Sequence, residues 1–147
     1  MDKQDWNREQ QVWQRIRSAR EEGQKNDLRQ LQREAMELAA IYRGLLPRIN
    51  GRQQEQLARL YQGERNNAAV LAGIGILSHQ NPEQVKLWQP EKEEPRKLLE
   101  RCYHRTRRCL TEYLARSAEG EFGVLFEKMG KREADHCMII AEVLGNL

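Results

Sequence analysis

The chain has 147 residues, of which 25 are Lys or Arg and 22 are Asp or Glu, so its net charge is only +3. This length suits one domain, and we predict a single domain over residues 1–147. Charged residues of both signs are interspersed, which is typical of a solvated surface and argues against a one-sided basic patch for nucleic acid. No apolar run approaches the roughly 20 residues of a membrane span. Neither nucleic acid nor a membrane is therefore an expected partner.

The N-terminal residues and the number of cysteines indicate the cellular compartment. No charged-then-apolar leader opens the chain, and its three cysteines are an odd number. Both features favour a cytoplasmic location with reduced thiols. Cys102 and Cys109 are seven residues apart on one predicted helix, which separates their sulfurs by about 10 Å. That distance is too long for one metal ion, so we expect both to be small buried hydrophobes.

Only 10 Gly and 4 Pro occur, which favours an all-α fold. The first predicted helix covers residues 3–19 and is strongly polar, with a partial apolar stripe that includes Val12 and Trp13. We expect it to end in a loop at Glu22-Gly23-Gln24. Tryptophans 6, 13 and 88 are expected either to cover the ends of the fold or to meet a second subunit.

Four further helices are predicted from apolar stripes at helical spacing, over residues 26–46, 52–77, 96–117 and 121–144. A stretch at 78–95 contains three of the four prolines and no sustained period, so we predict a long crossover there. Two helical hairpins joined by one long crossover is the connectivity of ferritin-like bundles. We therefore predict that residues 26–147 form an antiparallel four-helix bundle, with the polar N-terminal helix lying on it.

Polar residues interrupt two of the apolar stripes. Glu64 and Asn67 lie on the 52–77 stripe, and Glu133 and His136 lie on the last one. Residues three apart share a helix face, and a Glu-x-x-His pair turned into a helical core is typical of carboxylate-bridged metal sites. The two halves of the chain also share a similar tyrosine-to-glutamate spacing. Tyr42 precedes Glu64 by 22 residues, and Tyr113 precedes Glu133 by 20.

Several stretches resemble the rubrerythrin-like branch of the ferritin-like superfamily, over roughly residues 26–145. The resemblance is carried by Tyr-Arg-Gly-Leu-Leu at 42–46, Gly-Glu-Arg-Asn-Asn at 63–67 and the run 126–144. Residues 12–16 are similar to the short N-terminal segment of small bacterial members. The resemblance implies a di-iron carboxylate site, redox or peroxide chemistry, a cytoplasmic location and a homodimer. No Cys-x-x-Cys module is present, so redox activity implies an external electron donor.

The ligand pattern of such a site is only partly matched. It requires one glutamate from each of two helices and a Glu-x-x-His from each of the other two. Glu133, His136 and Glu64 match the pattern, whereas Asn67 stands where the second histidine belongs. The other two carboxylate positions correspond to residues 35 and 106, which are Ala and Thr.

An eroded di-iron site is the interpretation that these residues favour. Its candidate metal ligands are Glu64, Glu133 and His136, with iron as the metal. Glu34 is a tentative fourth ligand. It is offset by about 100° from the core position at 35, so it contributes only if the helix turns it inward.

Three functions remain open at this point. The leading hypothesis is a ferritin-like protein that binds metal weakly or not at all, in which Glu64, Asn67, Glu133 and His136 satisfy one another as a buried network. The second is a working non-haem iron oxidase or peroxidase, with one or two metal ions. The third is a non-catalytic helical scaffold that acts through a partner protein.

Overall fold

The computed structural model describes residues 3–78, 93–118 and 120–147, without the side chains at 3, 4, 6, 14 and 16–27. The described residues form four long helices and no strand: α1 (Lys3–Leu45), α2 (Arg52–Leu77), α3 (Pro95–Ser117) and α4 (Gly123–Gly145). A 3-10 turn, Leu46–Arg48, follows α1. The all-α prediction is confirmed. No described helix has the length and apolar character needed to cross a membrane.

Local sequence explains where the helices end. Pro47 lies in the turn after α1, and Gly51 precedes α2 with a φ of 69° that an L side chain rarely adopts. Pro95 occupies the first turn of α3, where its missing N–H would have no intrahelical partner. Gly120, with a φ of 74°, lies in the turn between α3 and α4. The predicted limits of α2 agree with the structure, and those of α3 and α4 agree within two residues.

The predicted loop at Glu22-Gly23-Gln24 is wrong, because α1 is continuous across it. A single glycine costs a helix only about 1 kcal/mol relative to alanine. The flanking Arg, Glu, Gln and Lys residues favour helix, and no proline is present to break it. The predicted helices at 3–19 and 26–46 are therefore one. Most of the predicted crossover, 79–92, lies outside the described residues, as do Trp88 and the side chain of Trp6.

Helices α1 and α2 pack as one hairpin and α3 and α4 as another, with further contacts of α2 on α4 and α1 on α3. Their buried apolar residues form two clusters. One contains Leu38, Leu57, Leu99 and Ile140, among others. The other is built from Leu28, Leu31, Ala35, Leu71, Ile74, Cys109, Tyr113, Phe126 and Met129. Along each of α2 and α4, a short polar stretch separates the residues of the two clusters.

Candidate functional site

The polar stretch consists of four buried side chains, which we call the polar layer: Glu64 and Asn67 from α2, and Glu133 and His136 from α4. Their exposed fractions are 1%, 0%, 0% and 4%. On each helix the two residues are three apart, so both point to the same side of that helix. Glu64 faces His136 and Asn67 faces Glu133, which shows that α2 and α4 run antiparallel. The sequence prediction that these four residues meet is confirmed.

Hydrogen bonds and a His136–Glu133 ion pair join the polar layer. Nδ1 of His136 lies 3.0 Å from Oε1 of Glu64 and 3.5 Å from Oε1 of Glu133. Nδ2 of Asn67 donates to that same Glu133 oxygen at 2.6 Å. Arg132, which is only partly buried, donates to Oδ1 of Asn67 at 2.7 Å. The layer therefore runs from a guanidinium near the surface, through an amide, to two buried carboxylates and an imidazole.

Charge inside the layer favours a protonated imidazole. Burial on its own would lower the pKa of His136, but hydrogen bonds and charge attraction from Glu133 and Glu64 outweigh it and raise this pKa to about 9. Burial also raises the pKa of Glu64 well above its usual range, and the nearby charge of Glu133 adds to the effect. The hydrogen bond and charge attraction from His136 lower the pKa of Glu64. The layer therefore favours the imidazolium form of His136, whose positive charge faces both carboxylates.

Gly63 makes room for the imidazole. A methyl group at this position would overlap Nε2 and Cε1 of the His136 ring. The ring of α4 therefore lies directly against the backbone of α2, one residue before Glu64. Gly63 is a positioning residue for His136, because any larger side chain would push the ring away from its carboxylate partners.

One metal ion fits the donor atoms of this layer, but two do not. Glu64, Glu133 and His136 each offer a ligand atom within 4.8 Å of the others, so together they could hold an ion. A di-iron pair requires four carboxylates and two imidazoles. Ala35 and Thr106, the positions at which the resemblance implies the other two carboxylates, are buried and offer none. Asn67 directs an N–H group, not a lone pair, at Glu133.

Glu34 lies apart from the polar layer. Its two carboxylate oxygens accept hydrogen bonds from Arg105 of α3 at 2.8 and 3.1 Å. Arg105 also contacts Glu37, one turn further along α1. The register left open by the sequence is thereby decided: Ala35 faces the core at 1% exposure, and Glu34 faces α3. Among the described residues, the cluster able to hold a metal does not include Glu34.

Unpartnered oxygen atoms adjoin the layer. Within the described part of the chain, Oε2 of Glu133 and the hydroxyl group of Tyr113 are buried and have no hydrogen-bond partner. The hydroxyl groups of Tyr42 and Thr106, also buried, lie close to each other. The charges of Glu64 and Glu133 contribute to raising the pKa values of both tyrosines, although burial is the larger cause. Buried oxygens without partners are uncommon and are usually satisfied by an ordered water or an ion.

Sequence reasoning missed three residues around the site. Arg132 lies next to Glu133 and about 100° around α4, and only its long side chain lets it reach Asn67. Arg105 lies in a local run of arginines whose pattern indicates no particular partner, yet it pairs with two glutamates of α1. Gly63 could have been found from its position immediately before a core glutamate, since glycine inside a helix often marks close approach.

Comparison with known proteins adds no family assignment. No family model, curated protein or solved structure matches the chain.

Proposed function

We propose that this chain is a ferritin-like, rubrerythrin-related four-helix bundle in which a metal-independent polar layer replaces the di-iron carboxylate centre. The layer binds a single divalent ion weakly or not at all. The observation that carries the proposal is the 2.6 Å hydrogen bond from Nδ2 of Asn67 to Oε1 of Glu133. That bond occupies a carboxylate oxygen that a bridged metal pair would require, and it comes from the residue that replaces the second histidine.

The layer needs no metal because its buried charges already have partners. His136 faces both carboxylates, and Arg132 reaches the layer through Asn67. A buried ion pair costs desolvation energy, but leaving one member without its partner costs several kcal/mol more. The network of Glu64, Asn67, Glu133 and His136 therefore accounts for four buried polar residues without invoking catalysis.

Any metal ion has to displace a proton. Nδ1 of His136 is the atom that faces both carboxylates, so an ion between them would bind where that proton lies. Because its pKa is raised to about 9, the imidazole is mostly protonated at pH 7. The apparent metal affinity at neutral pH is then below that of the unprotonated site.

Metal titration tests the proposal directly. The full chain is dialysed against Mn²⁺, Zn²⁺ or, without oxygen, Fe²⁺, and bound metal per chain is measured by mass spectrometry. We expect no more than one ion per chain, tighter binding at pH 9 than at pH 7, and no binding by His136→Ala. Two tightly retained ions per chain would refute the eroded-site proposal.

A rebuilt site tests the ferritin-like register itself. The triple variant Ala35→Glu, Asn67→His and Thr106→Glu restores the complete ligand pattern, and we expect it to bind two iron ions per chain. A control with Ala40→Glu, Asn66→His and Thr111→Glu introduces the same side chains at positions that are less buried. If the rebuilt variant keeps its helical circular dichroism but gains no more iron than the control, the register taken from the resemblance is wrong.

A mononuclear non-haem iron enzyme is the second candidate. Oε2 of Glu133 favours it, because this oxygen is buried and has no hydrogen-bond partner among the described residues. This candidate predicts that iron-loaded protein consumes peroxide in the presence of a reductant. It also predicts that Glu133→Gln abolishes this activity while the protein remains folded. Equal activity in Glu133→Gln would exclude it. A scaffold function predicts instead that partner binding survives changes at Glu133 and His136.

A further inference from the structure

An asparagine–glycine pair lies where the chain passes from α1 to α2. Asn50 and Gly51 follow the 3-10 turn Leu46–Arg48 and directly precede α2. The sequence has seven asparagines, and Asn50 alone is followed by glycine. Both residues of the pair are exposed. The pair is therefore open to solvent and lies outside the two helices that it connects.

Within the described part of the chain, no other residue holds the two reactive groups of this pair. The side-chain amide of Asn50 makes no hydrogen bond, and the backbone N–H of Gly51 donates to no acceptor. Gly51 instead uses its carbonyl oxygen, which accepts from the backbone N–H groups of Gln54 and Glu55. A Cβ at Gly51 would meet no atom within 4 Å beyond its chain neighbours. The nitrogen of Gly51 is thus free to approach the side chain that precedes it.

We propose that Asn50 is a site of spontaneous deamidation in the folded protein, and that its isoaspartyl product loosens the start of α2. The backbone nitrogen of Gly51 attacks Cγ of Asn50, so a C–N bond forms and the bond from Cγ to Nδ2 breaks. The proton lost by the Gly51 nitrogen leaves with Nδ2 as ammonia, and a cyclic succinimide remains. Water then opens this ring at either of its two carbonyl carbons, which gives aspartate or isoaspartate at position 50. Water is the only co-reactant, and no group is oxidised or reduced.

The other described asparagines lack this freedom. Four of them lie inside helices, where the N–H of the following residue belongs to the helical hydrogen-bond pattern: Asn7, Asn26, Asn66 and Asn67. Asn146 lies beyond the end of α4, but its amide nitrogen donates to the carbonyl oxygen of Glu142 at 2.8 Å. Position 50 is therefore the one at which we expect the reaction.

The two products differ in their effect on the fold. Isoaspartate routes the main chain through its side-chain methylene, so the link from Ile49 to Gly51 becomes one atom longer. Ile49 is buried in the same apolar cluster as Leu57 of α2, so the longer link has to be accommodated by the turn. Aspartate keeps the main chain and places a negative charge beside the first turn of α2, where it is favourable. The inference does not depend on whether the polar layer binds metal.

Ageing the full chain at pH 8 tests the proposal. Trypsin cleaves after Arg48 and Arg52 and releases residues 49–52 as one peptide, whose three forms are separated by chromatography and identified by mass spectrometry. We expect the native protein to lose Asn50 at a rate within about threefold of the urea-unfolded chain, because no structure has to open first. Asn50→Gln should stay unmodified at this position, since glutamine would have to close a larger ring.

Gln62→Asn is the matched control, because it creates the same dipeptide inside α2, at an exposed position followed by Gly63. In this variant, position 62 should react at least about tenfold more slowly than position 50 in the native state, and at a similar rate in urea. Helical circular dichroism verifies that the variant is folded.

Denaturant unfolding of the separated wild-type products tests the consequence for the fold. The isoaspartyl form should unfold at a lower denaturant concentration than Asn50→Asp, whereas the aspartyl form should match that variant. Three outcomes each overturn the proposal. They are a native rate at position 50 that is about tenfold or more below the unfolded rate, equal native rates at positions 50 and 62, and an isoaspartyl form as stable as Asn50→Asp.

Discussion

The folded protein should lose stability as the pH rises from about 6.5 to about 9, because it holds a proton on His136. The pKa of this imidazole is raised from 6.5 to about 9 in the folded state. The stabilisation is therefore fully present below pH 6.5 and is lost as the pH rises through 9. A shift of this size corresponds to on the order of 3 kcal/mol. The pKa of Glu64 is also raised, so the ionisation of Glu64 at higher pH lowers the stability of the folded protein as well.

Denaturant unfolding of wild type and His136→Gln at several pH values from 6 to 9.5 measures the effect. Glutamine keeps a hydrogen-bond donor but does not titrate, so the variant should retain only the part of the pH dependence that Glu64 contributes. His104→Gln, at an exposed position on α3, serves as the control and should behave as wild type. NMR titration of the imidazole gives the pKa directly. An imidazole that titrates below 6.5, or equal pH dependence in wild type and His136→Gln, would refute the reasoning.

Further predictions concern the glycines of α2 and the thiols. Gly63→Ala should cost about 1 to 3 kcal/mol of unfolding free energy by overpacking against the imidazole. In Gly73→Ala the added methyl group meets nothing within 4 Å, so this variant should raise the unfolding free energy by about 0.5 to 1 kcal/mol. Urea unfolding measures both variants. Equal effects of the two substitutions would contradict the close approach of His136 to Gly63. A thiol reagent at pH 8 should label Cys137 in the native protein and reach Cys102 and Cys109 only after denaturation, because both are buried and burial raises their pKa values. Rapid labelling of all three native thiols would contradict this packing.

Helical periodicity in the sequence was enough to predict the polar layer. The stripe through Glu64 and Asn67, and the stripe through Glu133 and His136, each place two polar residues on a face that is otherwise apolar. Buried polar side chains need partners, so these four residues were expected to meet across the core, either as a network or around a metal ion. The same period favoured Ala35 as the inward residue, because Leu31 and Leu38 flank it at helical spacing, but only the structure decided between Ala35 and Glu34.

Other features depend on long-range geometry that periodicity does not encode. The continuity of α1 could not be predicted, because a lone glycine in a polar stretch is compatible with either a turn or a helix. The ion pairs of Arg105 with Glu34 and Glu37 depend on how α3 is rotated against α1. Arg132 reaches the polar layer only through the length of its side chain. For both arginines the missing information is the relative placement of two helices.

The hydrogen bonds around Asn67 also fix the orientation of its amide. A guanidinium can only donate and a carboxylate can only accept. Rotating the amide by half a turn would therefore set an N–H group against Arg132 and an oxygen against Glu133. Aspartate, although of the same shape, would have to take up a proton to reproduce the donor, and leucine would provide neither group. The residue at position 67 must therefore donate one hydrogen bond and accept another, and it must also have the right size. Asparagine meets both requirements while remaining uncharged.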